Sequence, residues 1–265
     1  MLFRLLSLIS ALFAFAGSSL WADCAGPTAC TLGDRSYHLR LPDDWNGTTP
    51  LPVLLHFHGW GRQGDLIVQH RRISGHTRRR GVLLVAPNGE RRTWDFWRAA
   101  SGDVDFAAAV IEDVAERYPV DRSRIYISGY SFGAAMAWRF ACEAGDGVAA
   151  LLAISGTISQ ETECAQAPRE VRQVYGFEDS VMPFAFGPDG DETHPVALWR
   201  DRLGCEDQQR LGRWQAVNWL TLDRRRWDCA RGRVTLDLHS GGHFIPHGWI
   251  GWQLDQLMGQ EPRYP

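Results

Sequence analysis

The sequence predicts an α/β fold, with a mainly parallel sheet covered by helices on both faces. Three observations lead there. Short apolar runs of strand length, at 51–58, 82–87 and 149–155, read as strands buried on both sides. They alternate with helix-period segments, of which 103–118 is the clearest: Ala107, Val110, Ile111, Val114 and Tyr118 share one stripe, and Pro119 stops it. Between them, residues 125–136 pass from strand to helix through a tight turn that carries one serine, Ser131. Strands alternating with helices argue for parallel pairing through crossovers.

In chain order, residues 1–22 come first: Arg4, an apolar run to Gly17, then Ser18 to Ala22. This is the pattern of a secretory signal peptide cleaved after Ala22, and the run is too short for a membrane span. Residues 23–265 read as one catalytic domain, with no repeats and no low-complexity linker. A strand at 35–41 ends at Pro42 and suits a sheet edge. After a turn-rich connection, the run at 51–58 leads into His58-Gly59-Trp60-Gly61, and 82–87 is closed by Asn88-Gly89. The strand at 124–128 enters the serine turn and a helix at 132–143 leaves it. Strands at 149–155, 169–175 and 233–239 follow, and an amphipathic helix at 246–258 closes the chain. No long insertion follows the sixth strand, so an open cleft without a large lid is expected.

Composition bounds the partners. The chain has 265 residues, 45% hydrophobic and 22% charged, ordinary for a globular protein. Without residues 1–22 it keeps 27 basic and 31 acidic residues, a net charge of −4. That excludes a nucleic-acid binder despite clusters such as Arg78-Arg79-Arg80. Six cysteines in an exported chain suggest disulfides, and neighbour pairing is the simplest arrangement: Cys24 with Cys30, Cys142 with Cys164, Cys205 with Cys229. A secreted or periplasmic monomer is expected.

The serine turn carries the chemistry. Gly129-Tyr130-Ser131-Phe132-Gly133 has the form G-x-S-x-G, the nucleophile elbow of α/β-hydrolases, in which glycines two residues either side of the serine let backbones approach closely. In that fold the acid and the histidine follow the serine in order. Asp179, after the strand at 169–175, is preferred to Glu178 as the acid, and His243, past the strand at 233–239, is the base. His239, His243 and His247 have the spacing of metal ligands on a helix, but Gly241, Gly242 and Pro246 interrupt any helix there, so no metal is expected. The oxyanion hole needs the amide of Phe132 and one from the 58–61 loop, for which Trp60 is chosen over Gly59. Asp103 and Asp105 read as helix-capping carboxylates. Trp94, Trp97, Trp199, Trp214, Trp219 and Trp227 could line a groove, with core packing as the default. Trp97 is the candidate substrate contact.

With His58-Gly59, Pro87-Asn88-Gly89, Trp97, residues 103–106, 120–126 and 129–134, the 175–184 stretch and Gly241-Gly242-His243, the chain resembles the extracellular polyhydroxybutyrate depolymerase-like and feruloyl-esterase-like α/β-hydrolases, from about Cys30 to about Trp252. The resemblance implies a cofactor-free serine esterase with Ser131, Asp179 and His243 as triad, and a cysteine pair matching Cys205 and Cys229. It favours polyester (3-hydroxyacyl) substrates, with feruloyl or acetyl esters of plant polysaccharide as the alternative. Ala134 and Phe244-Ile245-Pro246 depart from the family pattern. A catalytically silent binding protein on the same scaffold, or a peptidase, would be the rival readings.

Overall fold

The computed structural model describes residues 24–159, 162–182 and 196–263. The signal-peptide segment 1–22 lies outside these residues. So does 183–195, on which part of the open-cleft expectation falls.

Ten strands form one sheet. In chain order they are β1 (Cys30–Leu32), β2 (Arg35–Arg40), β3 (Leu51–Phe57), β4 (Leu83–Pro87), β5 (Val120–Tyr130), β6 (Ala150–Ile154), β7 (Glu170–Gly176), β8 (Gln209–Val217), β9 (Leu220–Cys229) and β10 (Gly232–His239). Their order across the sheet is β1-β2-β4-β3-β5-β6-β7-β10-β9-β8. The central run from β4 to β10 is parallel throughout, and antiparallel pairs extend it at both ends.

Successive residues of the central strands face opposite sides, as the two-residue repeat of a strand requires. Leu55, Ile127, Leu151 and Ala153 pack on one face, with α3 (Gly102–Arg117), α4 (Phe132–Ala144) and α5 (Val196–Leu203). Leu54, Tyr126, Leu152 and Ile154 pack on the other, with α1 (Gly64–Gln69), α2 (Ser74–Arg78) and α6 (Trp249–Leu257). Two apolar layers therefore sandwich the sheet, which is why its strands read as unbroken hydrophobic runs.

The α/β expectation holds, with four differences. The 35–41 strand is not the edge, because β1 pairs outside it. β5 starts four residues early, at Val120, where its polar, partly exposed residues hid it. The short helices α1 and α2 went unread, being less than two turns each. So did the β8–β9 hairpin, whose first strand is exposed along most of its length and buries only its last two residues, Ala216 and Val217.

All three disulfides connect neighbouring cysteines, Cys24–Cys30, Cys142–Cys164 and Cys205–Cys229, as expected. Across the second layer, Arg80 makes a bidentate pair with Asp255 at 2.8 and 2.9 Å, both side chains being buried. Among the described residues no helix is long and apolar enough to cross a membrane.

Candidate active site

Ser131, Phe132, Asp179, His243 and the 58–61 loop lie at or beyond the carboxyl ends of β3, β5, β7 and β10, which parallel pairing brings to one rim. Ser131 sits between β5 and α4 at φ 58° and ψ −125°, a conformation that costs an ordinary residue about 1–3 kcal/mol. Neighbouring backbone imposes it. Ser131 N–H donates to Ile154 O (3.0 Å), and Ser131 O accepts from the amides of Ala134 and Ala135 (2.9 and 3.1 Å). A Cβ on Gly129 would lie 2.0 Å from Gly133 O, and one on Gly133 would lie 2.1 Å from Phe57 O. The elbow can close only with glycine at both places.

Asp179 and His243 meet. Imidazole Nδ1 and carboxylate Oδ2 are 2.7 Å apart, and the carboxylate is fully buried. The other oxygen, Oδ1, accepts from the amides of Val181 and Met182 at 3.0 and 2.9 Å. The carboxylate is therefore fixed from two sides, and it engages the imidazole through Nδ1 rather than Nε2. Glu178, the other acid considered, is exposed. The loops carrying acid and histidine are joined by Phe177 N–H to His239 O (2.9 Å) and Glu178 N–H to Gly241 O (3.2 Å). Gly176 passes so close beneath Gly241 that a Cβ would come within 2.0 Å of its oxygen. Tyr130 links the histidine to the elbow: its hydroxyl donates to His243 O (3.0 Å), and the two rings lie 4.9 Å apart. Sequence reasoning missed this tie, though Tyr130 is the residue before the serine.

The 58–61 loop lies against the elbow. A Cβ on Gly59 would be 3.6 Å from that of Ser131. His58 shapes the loop by accepting from Gly89 N–H at Nε2 (3.1 Å) and donating from Nδ1 to Gly59 O (2.9 Å). Burial pushes the imidazole down to about 4, so it stays neutral and can do both. Phe132 is the first residue of α4, where an amide has no acceptor within the helix. The Trp60 side chain extends into solvent, 71% exposed.

The tryptophans divide. Trp94, Trp199 and Trp227 are buried in the core, and Trp214 stacks on Trp252. Trp97 and Trp219 are each 67% exposed. Trp97 lies on Phe96 (4.1 Å) and edge-on to Phe132 (5.9 Å), beside the elbow. Asp103 is not a helix cap. Its carboxylate accepts from Asp95 N–H (2.7 Å) and pairs with Arg35 (2.6 Å), holding the segment that carries Trp97. Long-range pairing of this kind leaves no local signature. His247 packs against His76 while His243 engages Asp179, so the evenly spaced histidines diverge.

Residues 104–204 match the model of the phospholipase/carboxylesterase family. A probable feruloyl esterase C from Aspergillus flavus is 28% identical over 161 residues, covering 59% of each chain. The chain thus spans about three fifths of the length of this curated relative. A putative esterase, NocK, from Nocardia uniformis is 30% identical over 231 residues, covering 74% of this chain and 66% of that one. Among solved structures, an acetyl xylan esterase from Aspergillus awamori superposes with a TM-score of 0.61 at 13% identity, over 91% of this chain and 98% of its own.

Proposed function

We propose that this chain, which belongs to the α/β-hydrolase superfamily, is an exported serine esterase that cleaves carboxylic esters through an acyl-enzyme. The observation that carries the reading is the buried Asp179–His243 hydrogen bond beside a serine held at a strained elbow. His243 Nε2 takes the proton of Ser131 as its oxygen attacks the ester carbonyl. The amides of Phe132 and Trp60 donate to the oxyanion, each worth about 2.7–4 kcal/mol of transition-state stabilisation. Collapse expels the alcohol, which leaves with the proton from His243, and water releases the acid by the reverse path. No cofactor enters any step.

Esters of plant polysaccharide, feruloyl or acetyl, are the favoured substrates. The feruloyl esterase activity named for the Aspergillus flavus relative supports this, and so does an exposed aromatic ring, Trp97, against Phe132. Polyhydroxyalkanoate esters, toward which the motif resemblance points, are the second reading. Three disulfides and the apolar run within residues 1–22 support export. Treatment with a fluorophosphonate followed by intact-mass measurement should give one adduct on Ser131 and none in Ser131→Ala. An unmodified wild-type protein would leave the silent binding protein as the better account. Hydrolysis of methyl ferulate, acetylated xylo-oligosaccharide, 3-hydroxybutyrate oligomers and a peptide amide would then rank the acyl groups and exclude a peptidase.

A further inference from the structure

We propose that Trp219, at the tip of the β8–β9 hairpin, is the platform on which a sugar ring of the leaving alcohol stacks, and that it sets which alcohols the site accepts. The inference rests on reading the site as a polysaccharide esterase.

The direction of the reaction separates the two exposed aromatic walls. In acyl transfer the carbonyl oxygen turns toward the oxyanion amides, while the leaving oxygen must reach the histidine that protonates it. Trp97 packs on Phe132 and so belongs to the oxyanion side. Trp219 packs on Phe244, at 6.2 Å between centroids, and Phe244 is the residue directly after His243. Trp219 therefore borders the path of the alcohol.

The hairpin does not need this indole for its own fold. Val217 pairs with Leu220, so Asn218 and Trp219 form a two-residue turn, where small and polar residues are the usual choice. The apolar residues that hold the hairpin down, Ala216, Val217, Leu220 and Leu222, are buried in the second core layer. Trp219 instead leaves 67% of its surface in water. Its ring nonetheless has a neighbour to lean on. Phe244 beneath it rests on His239 at 4.7 Å and fills the space above Gly241, where a Cβ would come within 2.6 Å of the ring.

An exposed, flat ring over a second aromatic suits a pyranose. The sugar's C–H face covers the apolar surface while its rim of hydroxyls stays hydrated. An aromatic acyl group would lie on the other wall.

The test compares esters that share the feruloyl group and differ in the alcohol, methyl ferulate against a feruloylated arabinoxylan oligosaccharide. In Trp219→Ala the ratio of kcat/KM, oligosaccharide over methyl ester, should fall about tenfold, with the loss in KM. Trp219→Phe should recover most of it, and thermal melting should show both variants folded. Trp97→Ala should instead alter the preference between feruloyl and acetyl esters of one alcohol. A ratio unchanged in Trp219→Ala, or equal losses on both feruloyl esters, would overturn the proposal. So would an equal loss on 3-hydroxybutyrate oligomers, which would make Trp219 a general apolar contact. A wild-type protein inert toward every ester would instead sink the esterase reading beneath it.

Discussion

Replacing Gly133 by alanine tests whether the elbow and the 58–61 loop, proposed to supply an oxyanion donor, are held as one unit. The added Cβ would lie 2.1 Å from Phe57 O and 2.5 Å from His58 O. Both atoms belong to the backbone, so no side-chain rotation can relieve the clash. An approach under 3.0 Å is essentially never tolerated, and α4 must withdraw from the end of β3 by about 0.9 Å. That shift separates Ser131 and the Phe132 amide from Gly59 and Trp60. Misplacing reacting groups by about 1 Å costs about 10²-fold in rate, and losing one oxyanion donor costs about 10²–10³. A fall in kcat/KM of about 10²–10³ is expected on an activated ester, with a parallel slowing of fluorophosphonate labelling. Overpacking should cost about 1–3 kcal/mol of stability, which leaves the protein folded at 25 °C if its stability is ordinary. Gly102→Ala is the control, since no atom lies within 4 Å of its added Cβ. It should keep the native rate. A folded Gly133→Ala protein within threefold of the native rate would refute the reasoning.

Three further outcomes follow from the same structure. Asp179→Asn retains an oxygen for the Val181 and Met182 amides but loses the acceptor for Nδ1–H, so kcat should drop about 10⁴-fold with little change in melting; a drop below tenfold would remove Asp179 from the site. Asp255→Ala strands the buried Arg80 guanidinium and should cost about 3–5 kcal/mol in urea unfolding, against which a cost under 1 kcal/mol would count. Burial pushes His56 and His76 down to about 3, and His58 and His239 to about 4, against 6.5 for the free side chain. The unfolded chain takes up protons first, so this stability is complete above pH 6.5 and declines as pH falls toward 4, with a slope of up to about 1.4 kcal/mol per pH unit for each histidine. Urea midpoints at pH 7.5, 6 and 5 should fall steadily; a flat series would mean the histidines are not held neutral.

The site was legible because local steric demands wrote it into the chain. Gly129 and Gly133 flank Ser131 since the elbow admits nothing larger, and Gly241 stands two residues before His243 where a Cβ would come within 2.6 Å of the Phe244 ring. The central strands were legible because burial on both faces leaves them uniformly apolar. What escaped notice depends on distant partners. Asp103 reads like any carboxylate at a helix start until Arg35 and Asp95 are brought to it. Tyr130 looks like a filler position in G-x-S-x-G, yet it reaches a carbonyl 113 residues away. The tip of the β8–β9 hairpin holds Trp219 where a turn would ordinarily hold a polar residue, which made it unreadable as a turn.

The same hairpin has a consequence for solubility. A sheet of ten strands has two borders, and each would offer another molecule a ladder of unpaired amides and carbonyls. On the β8 side that ladder is broken. Arg210 and Arg213 project from it, and Gly212, at φ 78°, shifts the register between them. On the other side β1 is only three residues long, and the Cys24–Cys30 bridge turns the chain back at its start. Neither border is long, flat and uncharged enough to recruit a strand from a neighbour. The sheet is thereby kept from growing strand by strand into a neighbouring molecule.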